Sequence, residues 1–307
     1  MKKINDISGV VGNTPLIKIE NIYAKLETTN PTGSIKDRMV WHMIGKAERK
    51  GDLKKGSTII EVTSGNTGIS FAMAAAVKGY RFIAVMPESM SIERRKMIKA
   101  FGGEIVLTPA KEDMDGAVKK YEELVKKNKN AWLPKQFENQ DNADSHRFGT
   151  AKEIIEQTGG RIDAFVAGTG TGGTLIGIGK ALKAKYPKVK IFGIEPAESP
   201  IISKGKSGIH KIQGIGEGFV PALIEKNSHL IDGFLLVKSQ EALNMKEKLA
   251  KKYGVFTGIS SGANVFAALK LAKKYKTVVT VLPDRGERYL SEDCSNIECQ
   301  TSCKKRQ

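Results

Sequence analysis

The sequence predicts an α/β fold with mostly parallel, twisted sheets flanked by helices. Two features carry that expectation. Short β-branched runs alternate with amphipathic segments along the chain, and glycines stand directly after several of the runs. Such alternation, with near-continuous apolar strands, argues for parallel sheets covered on both faces. The glycines fall where helices start and ligands bind in sheets of that kind.

In chain order, Pro31 and Gly33 make a turn and Ser34 is a helix N-cap, so a helix is expected over 34–49. Strand-then-helix order follows at 58–62 and 67–78, at 82–86 and 92–100, and at 104–107 and 114–127. A helix over 143–157 precedes the strand at 164–167 and the helix at 173–185. The strand at 190–194, helices at 240–253 and 261–275, and a strand at 278–282 complete the series. The stretch 196–221 has weak periodicity and many Gly, Ser and Pro residues, and a loop that long inside a compact domain is usually functional.

A chain of 307 residues suggests one large domain or two medium ones, with 40% hydrophobic and 27% charged residues. No apolar run approaches the roughly 18 residues of a membrane helix. Asn5, Asp6 and Asn13 interrupt any signal-peptide core, so a cytoplasmic protein without membrane contact is expected. The net charge is +17, but the lysines are spread along the chain rather than gathered in a stripe. They read as a solvated surface, not as a nucleic-acid interface, and their field would attract anionic ligands. The only cysteines are Cys294, Cys299 and Cys303, spaced unlike a zinc or iron–sulfur site, so reduced tail thiols are expected. The four histidines, His42, His146, His210 and His229, show no metal spacing and are assigned no role.

Four segments carry chemistry. Lys36 falls in the first turn of its helix, where the positive end of the macrodipole disfavours a cation and suits an amine nucleophile. The run Thr63-Ser64-Gly65-Asn66-Thr67-Gly68 offers hydroxyls, a carboxamide and backbone amides at a helix start, which suits a small carboxylate. The run Gly168-Thr169-Gly170-Thr171-Gly172-Gly173-Thr174 lets backbone amides converge on a phosphate. It also satisfies G-x-G-x-x-G, with Glu195 at the end of the next strand, so on this segment alone a nicotinamide enzyme and a phosphate-bearing cofactor stand level. In Gly258-Ile259-Ser260-Ser261-Gly262, a hydroxyl before a helix would meet a ring nitrogen. A nicotinamide enzyme needs neither the lysine nor the second hydroxyl-rich turn. A phosphorylated aldehyde cofactor uses all four segments.

With these motifs the chain resembles the cysteine synthase (O-acetylserine sulfhydrylase) and cystathionine β-synthase family, the fold-type-II pyridoxal-phosphate enzymes with a tryptophan synthase β-like architecture. The likeness runs from Ile7-Ser8-Gly9-Val10-Val11-Gly12-Asn13-Thr14-Pro15-Leu16 to Pro283-Asp284-Arg285-Gly286-Glu287-Arg288-Tyr289-Leu290, and includes Gln213-Gly214-Ile215-Gly216. It implies two α/β domains, 35–145 with a mobile subregion, and 1–34 plus 146–307, which holds the cofactor phosphate. Lys36 would form the internal aldimine with pyridoxal 5'-phosphate and move the Cα proton. Gly170, Thr171, Gly172, Gly173 and Thr174 would hold the phosphate, Asn66 the ring hydroxyl and Ser260 the pyridine nitrogen. Thr63, Ser64, Thr67 and Gln136 would hold the substrate carboxylate. No metal is implied. The resemblance further implies a homodimer that makes L-cysteine from O-acetyl-L-serine and sulfide through an aminoacrylate. Relatives accept the C-terminus of a serine acetyltransferase, so that enzyme is a candidate partner. A dehydratase of the same fold is the nearest rival.

The sequence departs from the family where Gly-Ile-Gly-Ala-Gly-Phe is common, reading Gly214-Ile215-Gly216-Glu217-Gly218-Phe219. A carboxylate there would repel an anionic nucleophile and would serve as an acid or base. It therefore suits L-cysteine or L-serine, whose leaving groups need a proton. The segment after Gln136 also lacks the family's proline, and 146–153 diverges from its usual pattern.

Overall fold

The computed structural model describes residues 4–63 and 65–293. The first part of the chain gives strands β1 (Leu16–Ile19) and β2 (Ile22–Leu26), then helix α1 (Lys36–Lys50). Next come β3 (Thr58–Val62), α2 (Asn66–Lys78), β4 (Arg81–Pro87), α3 (Ile92–Ala100), β5 (Glu104–Thr108), α4 (Asp113–Lys127) and β6 (Ala131–Trp132). The rest is α5 (Gln140–Ser145), α6 (Ala151–Thr158), β7 (Ala164–Gly168), α7 (Gly173–Lys185), β8 (Lys190–Pro196), α8 (Ile201–Lys204), α9 (Ala222–Glu225), β9 (Gly233–Val237), α10 (Ser239–Tyr253), α11 (Ile259–Leu271), β10 (Val278–Leu282) and α12 (Leu290–Asp293).

These strands form two sheets. The larger has the order β1-β2-β10-β7-β8-β9 and the smaller β5-β4-β3-β6. Every pairing is parallel except the β1–β2 hairpin. Alternation along β3 and β4 explains how the smaller sheet is covered. Ile59, Phe82, Ala84 and Met86 pack with α1, α2 and α3, while Ile60, Val62, Ile83 and Val85 pack with α4. The larger sheet does the same. Ala164, Val166 and Val278 meet α10 and α11 on one face, and Phe165, Val279 and Val281 meet α6 and α7 on the other. The expected α/β class with parallel, doubly covered sheets is the observed one.

Several elements differ from expectation. The β1–β2 hairpin was not expected; it turns at Glu20, whose φ of +52° few non-glycine residues adopt. Strand β9 is a half-buried edge strand, so its pattern is weak. The helix expected over 143–157 is α5 and α6 joined by a π-turn at His146–Thr150. There the chain passes so close to α7 that a Cβ on Gly177 would lie 2.1 Å from the Ala143 carbonyl oxygen. The helix expected from Ser34 begins at Lys36 instead. The helix expected over 261–275 runs Ile259–Leu271.

The start of α1 is fastened to the larger sheet by buried charge. Arg38 forks onto Glu27 (2.6 and 2.8 Å) and onto Glu153 (2.7 Å to each oxygen). The fully buried Lys25 reaches Glu153 at 2.7 Å. Removing one member of such a network strands the others in low dielectric. Burial alone would raise the Glu153 pKa, but Arg38, Lys25 and the Asn13 N–H outweigh it and hold it at about 2. Its folded pKa therefore lies below its ordinary 4.5, and the linked stability, about 3 kcal/mol, is present above pH 4.5 and lost as pH falls towards 2. Glu153→Gln is expected to destabilise the protein by about 2–4 kcal/mol at pH 7. In urea titrations the gap to wild type should narrow below pH 4.5.

Candidate active site

The C-terminal ends of the two sheets face one another across a cleft, and Lys36 lies at its base. The lysine is set there by backbone geometry. Gly33 turns the chain at φ +78°, Ser34 bridges Asp284 in antiparallel fashion, and Ile35 N–H donates to the Pro283 carbonyl at 2.8 Å. The fully buried Arg288 donates to the carbonyls of Gly33 (2.8 Å) and Thr32 (2.5 Å). Asp37 accepts from the Thr32 N–H and from the hydroxyls of Thr32 and Ser70. Burial lowers the pKa of Lys36, while the carboxylates of Glu217 and Asp284 work to raise it. The outcome is an amine more easily deprotonated than an exposed lysine, with two anions near enough to receive its cationic form.

The glycine-rich turn between β7 and α7 lies beside this amine. Gly170, Thr171, Gly172 and Thr174 line the deep part of the cleft. Gly172 takes φ +85°, which lets the first amides of α7 open towards the cleft. A Cβ on Gly170 would sit 2.4 Å from the Gly214 carbonyl oxygen, so this turn and the 214–216 loop approach as closely as backbones can. Gly173 stands behind the turn, its α-carbon pressed on Asn142 and its N–H given to Thr171 Oγ1 at 3.3 Å. Two hydroxyls of the turn are held from below. Asn142 Nδ2 donates to Thr171 Oγ1 at 2.9 Å, and His146 Nε2 lies 3.3 Å from Thr174 Oγ1. Burial and the nearby cations Arg38 and Lys36 push the His146 pKa well down, so it is neutral.

Asn66 and Ser260 complete the deep cleft. Asn66 Nδ2 donates to Asp284 Oδ2 at 2.7 Å, and Asn66 Oδ1 is buried with no hydrogen-bond partner among the described residues. Thr63, Thr67 and Gln136 gather in the outer cleft, which encloses about 310 Å³, enough for a small ligand. Thr67 Oγ1 donates to Gln136 Oε1 at 2.7 Å. The Thr63 hydroxyl accepts from the N–H groups of Gly65 (3.1 Å) and Gly68 (3.2 Å) and so caps α2. Ser64, expected beside them, lies outside the described residues, as do Cys294, Cys299 and Cys303.

Glu217 lines the outer cleft with Lys36. Its loop is stiffened by His210, which takes the Ile212 N–H at Nδ1 and gives its Nε2 proton to the Gly216 carbonyl at 2.9 Å. Phe219 on this loop meets Phe137, next to Gln136, edge to face at 5.1 Å between ring centroids. This contact ties the loop that carries Glu217 to the residue after Gln136, beside the outer cleft. Glu195, the residue a dinucleotide ribose would need, is buried and spends both oxygens on the Ile202 and Ser203 N–H groups at 2.6 and 2.9 Å. That removes the nicotinamide reading. Sequence reasoning passed over Asn142, His146, Asp284 and Tyr289, because each acts through a neighbour and carries no spacing signal of its own. Asp284 and Tyr289 stood in a motif tied to the family but given no role.

A primary amine, a turn of amides and hydroxyls opening on the cleft, and a carboxamide oxygen without a partner among the described residues form a set that fits a phosphorylated aldehyde. The comparisons agree. The family model for pyridoxal-phosphate dependent enzymes matches residues 7–284. A cysteine synthase of Staphylococcus aureus is 49% identical over 94% of this chain and 96% of its own. The fold matches a cysteine synthase of Entamoeba histolytica with a TM-score of 0.92 at 39% identity, covering 97% of this chain and 92% of that one. It also matches a hydrogen sulfide-producing enzyme of Fusobacterium nucleatum with a TM-score of 0.89 at 42% identity, over 94% and 100% of the two chains.

Because its pKa is lowered on folding, Lys36 costs stability while protonated. Between its folded pKa and its ordinary 10.5 the unfolded chain holds more protons, so apoprotein stability rises with pH through that window. Lys36→Met is expected to stabilise the cofactor-stripped protein at pH 7 by about 1 kcal/mol. Denaturation from pH 7 to pH 10 should show the advantage shrinking.

Proposed function

The chain belongs to the pyridoxal-phosphate dependent enzymes, and from that premise we propose that it converts O-acetyl-L-serine and sulfide to L-cysteine and acetate. The observation that carries this reading is the amine of Lys36, desolvated where the glycine-rich turn, Asn66, Ser260 and the Thr67–Gln136 pair converge. Pyridoxal phosphate, when bound, supplies an aldehyde that links covalently to amines and a ring that withdraws electrons from the substrate's α-carbon. The turn from Gly170 to Thr174 would bind its phosphate, Asn66 its ring hydroxyl and Ser260 its ring nitrogen. Serine is a neutral partner and leaves that nitrogen unprotonated, which favours prompt loss of a β-substituent.

The remaining steps belong to the protein. Thr63, Ser64, Thr67 and Gln136 would receive the substrate carboxylate, with the Thr67 hydroxyl already aligned by Gln136. Lys36 takes the α-proton, and its cation is then met by the carboxylates of Glu217 and Asp284. Acetate leaves the β-carbon without needing a proton, hydrosulfide forms the new C–S bond there, and Lys36 returns its proton to the α-carbon. The Phe137–Phe219 pair shields the cleft from water. We place the enzyme in the cytoplasm as a homodimer, on the strength of the family resemblance; no described helix is long and apolar enough to cross a membrane. A serine acetyltransferase is the partner to test at the cleft mouth.

A second reading is favoured by Glu217. Its position in the cleft with Lys36 would let it give a proton to a thiol or hydroxyl leaving group, fitting L-cysteine or L-serine as first substrate. The holoenzyme assayed on O-acetylserine with sulfide, on L-cysteine and on L-serine separates the two. The first reading expects kcat/KM to be highest for O-acetylserine, and expects Glu217→Ala to lower it by a similar factor on all three substrates, because the Lys36 cation that Glu217 meets forms with each. The second expects Glu217→Ala to slow L-cysteine or L-serine by about tenfold or more beyond its effect on O-acetylserine. Equal loss on all three removes Glu217 from leaving-group protonation and sinks the second reading, and no cysteine from O-acetylserine overturns the first.

A further inference from the structure

Asp284 has no place in the reaction as derived so far beyond its charge, yet it is built into the base of the cleft. It lies two residues past the end of β10 and is 1% exposed. Its backbone joins three elements. Ser34 bridges it, the Gly258 N–H donates to its carbonyl at 3.0 Å, and the next residue, Arg285, donates to the Gly33 carbonyl at 3.1 Å. The turn before Lys36 and the turn before Ser260 are therefore both stitched to this one residue.

The side chain is as constrained as the backbone. Oδ2 accepts from Asn66 Nδ2 at 2.7 Å and from the Tyr289 hydroxyl at 2.7 Å. Oδ1 is buried and has no hydrogen-bond partner among the described residues. A Cβ on Gly258 would lie 2.2 Å from Oδ1, so the carboxylate rests against bare backbone. Tyr289 is itself 1% exposed and lies under the Arg94 guanidinium, 4.7 Å from its ring centroid. A half-satisfied buried carboxylate costs about 1–3 kcal/mol and is a poor device for stability alone.

Its chemistry suits orientation instead. An ionised carboxylate only accepts hydrogen bonds, so Asn66 must turn its NH2 group towards Asp284. The amide cannot flip without setting two oxygens against each other. One N–H and the unpartnered Oδ1 of Asn66 then have fixed directions in the cleft.

We propose that Asp284 is a positioning residue, held by Tyr289, that fixes the Asn66 carboxamide for the cofactor ring. The proposal rests on the reading of Asn66 as the ring-hydroxyl partner. It makes Tyr289–Asp284–Asn66 a chain of hydrogen bonds running from α3, through Arg94 stacked on Tyr289, to the cofactor.

The test uses the holoenzyme, its visible cofactor band and the cofactor dissociation constant. Asp284→Ala is expected to raise that constant about tenfold, the size of one charged hydrogen bond, and to displace the band. Asp284→Asn, whose oxygen can still accept from Asn66, should recover most of both. On an Asn66→Ala background, Asp284→Ala should add less than about twofold, because its effect passes through Asn66. Tyr289→Phe, which removes one donor to the carboxylate, should weaken binding about threefold without unfolding risk at Asp284 itself. A wild-type constant and band in Asp284→Ala overturn the proposal, as do losses that multiply in the double variant or a wild-type constant in Tyr289→Phe. An Asn66→Ala enzyme with wild-type affinity sinks the reading of Asn66 as well, which separates the two failures.

Discussion

Two backbone segments that are distant in sequence, 33–35 and 283–285, are hydrogen-bonded to each other, and the site depends on that contact. One leads into the helix that starts at Lys36. The other leaves the last strand of the larger sheet. Their bridge places the Lys36 amine beside the C-terminal edge of the larger sheet. The glycine-rich turn and Ser260 in the cleft belong to elements of the larger sheet, while Thr63, Asn66 and Thr67 come from the smaller one. Brought together this way, two ordinary parallel sheets present their ligand-binding ends to one cleft.

The cost of this arrangement is electrostatic and is met locally. A lysine amine at a helix N-terminus, partly removed from water, is disfavoured as a cation by desolvation and by the helix dipole. Glu217 and Asp284 offset part of that cost, and the net result is an amine that gives up its proton more easily than an exposed lysine, as a nucleophile needs. The Glu27–Arg38–Glu153–Lys25 network does different work two residues further along the same helix. There the charges are fully paired, so α1 is anchored by ions that compensate one another while Lys36 is kept reactive by ions that only partly do.

The sequence was most legible where chemistry and local structure coincide. Thr58–Val62, Val278–Leu282 and Gly173–Lys185 have the bounds that their patterns predict, since each is an apolar run ended by turn residues. Lys36, Asn66, Thr171 and Ser260 were visible because hydroxyls, amides and glycines crowd at helix starts for few other reasons. Less was legible where tertiary packing decides. The π-turn at His146–Thr150 follows the point where α7 packs against the Ala143 carbonyl, a contact no local pattern encodes. Strand β9 is an edge with half-buried residues and so lacks a clean alternation. Asp284 and His146 matter through the side chains they orient, and orientation across more than two hundred residues, as between Asn66 and Asp284, leaves no trace in spacing.

The central claim is that one lysine among many carries the cofactor. Borohydride reduction of the purified holoenzyme, followed by peptide mapping by mass spectrometry, tests it most directly, because reduction fixes the cofactor on the amine that holds it. The account expects a single pyridoxyl group, on the peptide containing Lys36 and on that residue. A label on any other lysine, or a fully reduced enzyme with Lys36 unmodified, would contradict it.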